Sequence, residues 1–147
     1  MRLCYNNLTM PARDLYHDTV KNALIKDGWT ITDDPLTLGI GSTNVFVDLG
    51  AEQVLGAEKG LRKIAVEIKT FRGSSGMKDL EQAIGQYVLY RIFLRRLEPD
   101  RELYLAVPQD VVEDVFSEAY GQGFIQDEQG KVFGFDIESE EVTEWLY

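Results

Sequence analysis

Val45-Phe46-Val47-Asp48-Leu49 and Lys63-Ile64-Ala65-Val66-Glu67-Ile68-Lys69 are the two stretches that decide how this 147-residue chain folds. Both are short runs rich in β-branched and aliphatic residues, which suits strands buried in a sheet. Side chains alternate across a strand, so Ala65, Glu67 and Lys69 share one face and Ile64, Val66 and Ile68 share the other. Glu67 and Lys69 then stand about 7 Å apart along the strand. Asp48 closes the first run. If the two strands lie side by side, two carboxylates and one ammonium converge on a single patch of sheet.

Outward from this pair, the chain alternates between helical and strand periodicity. Arg13 to Gly28 reads as a first helix, with Tyr16, Val20, Ala23 and Leu24 as its apolar stripe and Gly28 as terminator. Trp29 to Thr32 is a short strand, and a looser Gly-rich stretch runs through Gly39-Ile40-Gly41-Ser42. The segment from Gly50 to Gly60 is expected to be a long hairpin connection carrying a helical turn or two. Gly73-Ser74-Ser75-Gly76 punctuates the next step. Met77 to Leu97 is a long amphipathic helix with Leu80, Ala83, Ile84, Tyr87 and Leu94 on its buried side, ended by Pro99. Glu102 to Val107 is a near-continuous apolar strand, Val111 to Tyr120 a third helix. Phe124-Ile125 and Val132 to Ile137 are expected to pair around Glu128-Gln129-Gly130. The order α-β-β-β-α-β-α-β predicts one α/β domain, a mixed sheet flanked by helices.

Composition narrows the function. The start of the chain lacks the apolar core and small-residue cleavage site of a signal peptide, and no apolar run approaches the roughly 20 residues of a membrane span. The expectation is a cytoplasmic protein in which residues 1–9 are an extension and Met10 a candidate natural start. Cys4 is the sole cysteine and His17 the sole histidine, which excludes an internal disulfide and a zinc site. The net charge is −10, unlike that of a generic nucleic-acid binder. From Asp110 onward there are eleven acidic residues and one basic one, Lys131, so residues 1–109 sum to zero. A phosphate backbone could approach that first part, where Lys69, Arg72, Lys78, Arg91, Arg95 and Arg96 are available. The acidic C-terminal quarter would face away from DNA or towards a basic protein partner.

Asp48, Glu67 and Lys69 suit phosphodiester hydrolysis. Two carboxylates and a backbone carbonyl such as that of Ile68 can hold Mg²⁺ (or Mn²⁺), with waters completing the shell. The cation would act as a Lewis acid, and Lys69 would position or deprotonate the attacking water or stabilise charge developing on phosphorus. Taken alone, a Glu-x-Lys pair on one strand face is commonly just the solvated side of a half-buried sheet. Gln86 and Tyr90, at i and i+4 on the long helix, are neighbours on one helix face that could serve the site or simply pack on the sheet.

An Asp on one strand and Glu-x-Lys on the next, with a helix before and a helix and strand after, resembles the PD-(D/E)XK nuclease superfamily. Its restriction-endonuclease-like core has the order α-β-β-β-α-β. The Pro that usually precedes the Asp is replaced by Val47. Gln86-Tyr87-Val88-Leu89-Tyr90 matches the Gln-x-x-x-Tyr element of several branches. A closer resemblance covers nearly the whole chain from Met10. Ala12-Arg13-Asp14 with His17, Gly28-Trp29, Asp34-Pro35, residues 47–52, residues 64–71, Gly85-Gln86-Tyr87 and residues 105–108 resemble XisH, the cyanobacterial factor that controls excision of the fdxN element. That likeness implies an accessory role in programmed, site-specific DNA rearrangement beside a recombinase and an XisI-like companion protein, while the charge distribution leads to the expectation of weak non-specific affinity for DNA.

The implied site residues are Asp48 and Glu67 as metal ligands, Lys69 as the water-activating or charge-stabilising group, and Gln86 and Tyr90 as phosphate-positioning residues. His17 is a further candidate, because the first helix of nuclease relatives often supplies an extra group. Asp14 and Asp18 are its rivals, and a helix-flank histidine with an ordinary partner is the plain alternative. Glu52 is a further ligand or a loop charge, and Asp34 before Pro35 caps a turn. The alternative function is a non-catalytic adaptor that keeps the fold and binds a recombinase or XisI-like partner through its acidic quarter, and a toxin–antitoxin or defence pair is a weaker third. Self-association is left open.

Overall fold

The computed structural model describes residues 14–55, 60–71 and 76–147. Expectations for residues 1–9, Arg13, Arg72 and Gly73-Ser74-Ser75 fall outside them. In chain order the elements are α1 (His17–Lys26), β1 (Thr30–Asp33), β2 (Leu36–Ile40), β3 (Thr43–Val47), β4 (Leu49–Val54), β5 (Leu61–Ile68), α2 (Gly76–Leu97), β6 (Arg101–Pro108), α3 (Gln109–Asp114), α4 (Ala119–Gln126), β7 (Val132–Asp136) and β8 (Glu141–Leu146). Six strands form a mixed sheet in the order β1-β4-β5-β6-β7-β8, and β2 and β3 form a separate hairpin. β5, β6 and β7 run parallel, and the remaining pairs are antiparallel.

Both faces of the central strands are buried, as the alternation in β5 requires once each face meets a layer. Ile64, Val66 and Ile68 pack with Tyr104, Ala106, Phe133 and Phe135 beneath Val20 and Leu24 of α1. Ala65 packs on the other side with Leu103, Leu105 and Val107, under α2, α3, α4 and the β2–β3 hairpin. α1 ends as expected: Gly28 takes φ +92°, and the Trp29 N–H returns to the Leu24 carbonyl at 3.0 Å. On α2, Leu80, Ala83, Tyr87 and Leu94 are buried, joined by Tyr90 and Phe93.

Four expectations need correction. Residues 45–49 are not one strand. β3 stops at Val47 and β4 starts at Leu49, with Val47 packed on the α2 side and Leu49 on the α1 side. The chain changes sheets at Asp48. Consequently residues 49–54 are strand rather than a helical connection, paired in register with residues 61–66. The Gly-rich stretch is a hairpin, its two-residue turn opened by Gly41 at φ +62°. Finally, Phe124 and Ile125 lie in α4, and the helix expected over residues 111–120 is split in two. β7 instead pairs with β8, where Phe133 lies opposite Trp145. Of the element order α-β-β-β-α-β-α-β, what stands is a mixed sheet with helices on both faces.

Candidate functional site

β5 carries Glu67 onto the α2 side of the sheet, where its side chain is almost fully buried at 6% exposure. Asp48, at the change of sheets, has no ladder position of its own and bonds to β5 through both its backbone and its side chain. Its N–H donates to Glu67 Oε1 at 3.4 Å, and its Oδ2 accepts the Ile68 N–H at 2.8 Å. The break in strand continuity thus turns the Asp48 carboxylate onto the strand that holds Glu67. Lys69 N–H donates to the Ala106 carbonyl at 2.9 Å, extending the β5–β6 pairing one residue beyond the strand. Its ammonium folds back to 3.6 Å from Glu67 Oε2.

This geometry crowds negative charge into a dry place. Burial pushes the Glu67 carboxyl well above its ordinary value, and the Asp48 charge pushes it further than Lys69 can pull it back. Burial also raises Asp48, against the pull of the Ile68 N–H, the Glu67 hydrogen bond and the His17 charge. Tyr90 of α2 is buried, and burial together with the charges of Glu67 and Asp48 pushes its hydroxyl up to about 12. Tyr90 therefore faces the pair as a neutral hydroxyl. One helical turn earlier, the Gln86 Oε1 is buried without a hydrogen-bond partner among the described residues.

His17 does not bond to this pair. Its Nε2 lies 2.7 Å from Asp34 Oδ1, and Lys21 Nζ lies 2.9 Å from Asp34 Oδ2. Its Nδ1 is buried without a partner among the described residues. Asp34, read from sequence as a turn cap, instead gathers the His17 ring and the Lys21 ammonium of α1. Burial works against its charge, but the hydrogen bonds and charges of Lys21 and His17 hold it below the usual carboxylate range. A residue seventeen positions away has no sequence spacing that could announce this contact. Of the rivals, Asp14 acts on Asp48 through its charge, while Asp18 is exposed on α1.

Glu52 is not brought to the centre. It pairs with Lys63, three register steps along β4 from Leu49, so about 13 Å of strand separates it from Asp48. The described cations among those named for a phosphate backbone do not form one patch either. Arg91 donates to the Glu128 carbonyl and lies over the Tyr87 ring, and Arg95 and Arg96 occupy the last turn of α2. That turn is about 26 Å along the helix from Lys78.

Among the described residues, no three His, Cys, Asp or Glu side chains gather as a metal cage. The donors that do meet still fit a magnesium-type ion. Such a cation is commonly held by one or two carboxylates and keeps most of its waters. Two incompletely neutralised carboxylates at Asp48 and Glu67, with the orphaned Gln86 oxygen one turn from Tyr90, match that chemistry.

The sequence profile of the XisH protein family matches residues 10–143. Two solved structures are similar over most of the chain. An XisH family protein from Nostoc punctiforme is 40% identical, with a TM-score of 0.81, covering 91% of this chain and 100% of its own. An fdxN element excision controlling factor protein from Anabaena variabilis is 42% identical, with a TM-score of 0.81, covering 92% of this chain and 100% of its own. A comparison with curated protein sequences gave no significant match. No described helix is long and apolar enough to cross a membrane.

Proposed function

The chain belongs to the XisH family, and from that premise we propose that it acts in site-specific excision of a DNA element through a divalent-metal centre at Asp48 and Glu67. The observation that carries this reading is the carboxylate pair itself. Two acids are buried against each other, tied by the Asp48 N–H and the Ile68 N–H, with the Lys69 ammonium beside Glu67. A sheet gains nothing in stability from burying two carboxylates that repel each other. A site that takes up a cation does need them.

Asp48 and Glu67 would hold Mg²⁺ or Mn²⁺, which supplies Lewis-acid polarisation of a phosphoryl oxygen when bound. Lys69, with 28% of its side chain exposed, can reach substrate while staying against Glu67, so it would orient a water or offset charge on phosphorus. Tyr90 keeps its proton at neutral pH and would donate a hydrogen bond to a phosphate oxygen. Gln86 would do the same through its amide or accept from a water. His17, locked to Asp34, would act on Asp48 by charge and not by contact. The DNA would lie across residues 1–109, whose charges balance, away from the acidic quarter.

Isothermal titration of Mg²⁺ and Mn²⁺ tests the centre directly. The wild type should bind at millimolar concentration or below and Asp48→Asn should not, and only the wild type should nick supercoiled DNA with the cation present. No heat of binding in the wild type overturns the proposal.

One observation favours a second reading, that of a non-catalytic adaptor for a recombinase or XisI-like partner: no third acidic or imidazole ligand joins the pair among the described residues. On that reading Glu67→Gln leaves excision in cells intact, and reversing exposed charges of the acidic quarter, such as Glu138→Lys with Glu141→Lys, abolishes it. These variants suit the test better than removing β8, because Trp145 packs on Phe133 and Tyr104.

A further inference from the structure

We propose that the outward face of α2 docks a second copy of this chain, the two helices antiparallel about a two-fold axis between Val88 and Leu89. This inference is independent of the chemistry proposed for Asp48 and Glu67. Three large aliphatic side chains stand together on the outward surface of α2. Val88 is 38% exposed, Leu89 46% and Ile92 44%. With Glu81 and Gly85 they give the spacing 81, 85, 88, 92, steps of four and three residues. That is the seam along which helices pair at a shallow crossing angle. Scattered exposed aliphatics are ordinary, but these lie on one stripe, opposite the face that Leu80, Ala83, Tyr87 and Leu94 bury.

The occupant follows from the stripe's symmetry. In an antiparallel pair centred between residues 88 and 89, each residue faces the one whose number completes the sum 177. Val88 then meets Leu89, Gly85 meets Ile92, and Glu81 meets Arg96. Each match is complementary. A Cβ at Gly85 would meet nothing within 4 Å, so the space over the glycine is open to the Ile92 side chain from the other copy. Glu81 and Arg96 are both exposed, and no ion pair joins either to another described residue. The two-fold operation makes every contact twice, as an isologous interface requires. An unrelated partner would have no reason to find a stripe that is complementary to itself read backwards.

A single helix face is small beside the roughly 800 Å² per partner of a standard interface, so the dimer is weak and forms in the micromolar range. Sedimentation equilibrium of the full chain over that range is the test, with circular dichroism confirming that each variant is folded. The wild type should move from monomer to dimer mass. Leu89→Glu places two like charges at the axis and should raise the dissociation constant by about a hundredfold. Glu81→Arg and Arg96→Glu should each raise it by about tenfold, and the double variant Glu81→Arg/Arg96→Glu should restore it. That restoration is something a merely structural role could not produce. A wild type that stays monomeric throughout overturns the proposal. So does a dimer whose mass survives Leu89→Glu, or a charge-swapped double variant no better than either single one.

Discussion

Replacing Glu67 by glutamine probes the centre without any knowledge of its DNA substrate. The two charge effects on Glu67 oppose each other and are of similar size. At an effective dielectric near 20, Lys69 at 3.6 Å attracts it by about 4.6 kcal/mol. Asp48, at hydrogen-bond reach of about 3 Å, repels it by about 5.5 kcal/mol. Lys69 is partly exposed, so solvent weakens the attraction more than the repulsion. Burial then decides the outcome, and Glu67 holds its proton well above the ordinary 4.5. A raised acid binds a proton in the folded chain that the unfolded chain has already released. Between 4.5 and the raised value, the native state therefore carries up to one proton more than the unfolded state. Across that window, stability falls as pH rises, by up to about 1.4 kcal/mol per pH unit. Above it, the loss is complete and the slope vanishes. Asp48 is raised too and extends the same trend from its ordinary 3.8.

Glutamine has no proton to lose. Its Oε1 can still accept the Asp48 N–H, and its amide can donate to the Asp48 carboxylate where the acid proton would. The gain in stability of Glu67→Gln over wild type should therefore open as pH rises above 4.5 towards the raised value. For a chain of this length, each kcal/mol is worth about 2–4 °C in melting temperature. Urea unfolding in EDTA at each pH, followed by circular dichroism, measures the midpoint and the slope m. EDTA matters, since a cation at the centre would hide the repulsion. Parallel stability–pH curves for the two proteins, or a variant less stable at every pH, would refute the argument.

Asp48→Asn keeps an oxygen for the Ile68 N–H and should not be less stable than wild type in EDTA, whereas Asp48→Ala orphans that N–H and should lose about 1–3 kcal/mol in urea unfolding against the asparagine variant. Tyr87→Phe should cost about 2–4 kcal/mol on the same assay, because the buried hydroxyl donates to the Leu103 carbonyl at 2.8 Å and accepts the Lys131 N–H at 3.1 Å. Gly121→Ala should cost about 3 kcal/mol, since its Cβ would collide with the Val115 carbonyl and the Phe116 backbone. Asp34→Asn should lower the urea midpoint at neutral pH. Asp34 is held below its ordinary value, so its contribution is present above about 3.8 and the difference should close as pH falls below that.

What was legible in the sequence is what period alone decides. Alternation assigned Ala65 and Glu67 to one face of β5 and Ile64, Val66 and Ile68 to the other, and the 3.6-residue period gave the buried side of α2. Period says nothing about where a strand changes partners. Val47 and Leu49 should share a face in a continuous strand, yet they end on opposite sides of the sheet because Asp48 turns the chain between them. The pair Phe124-Ile125 is too short to separate helix from strand. It became helix because Gly121, without a Cβ, lets α4 lie against the end of α3. The Asp34 contact with His17 was hidden for another reason. It joins α1 to the turn before β2, and only the packed fold makes them neighbours.

That same turn at Asp48 explains why the centre sits where it does. Within a regular sheet, a side chain cannot supply the acceptor that a neighbouring strand's N–H needs, because the ladder carbonyl already does so. Where β3 leaves for the small hairpin and β4 joins the main sheet, that carbonyl is displaced and the Asp48 carboxylate takes over the Ile68 N–H. The carboxylate is thereby fixed beside Glu67 by the backbone itself, and the repulsion between them cannot be relieved by swinging a side chain away. Relief has to come from outside the pair, as a proton or as a cation. α2 passes over this face of the sheet, where Tyr90 feels the charges of both acids, and turns its Val88, Leu89 and Ile92 outward. The helix proposed to dock a second copy is thus the one that roofs the centre. In such a dimer, two centres would be set in a fixed two-fold relation, which is the symmetry of the two strands of duplex DNA.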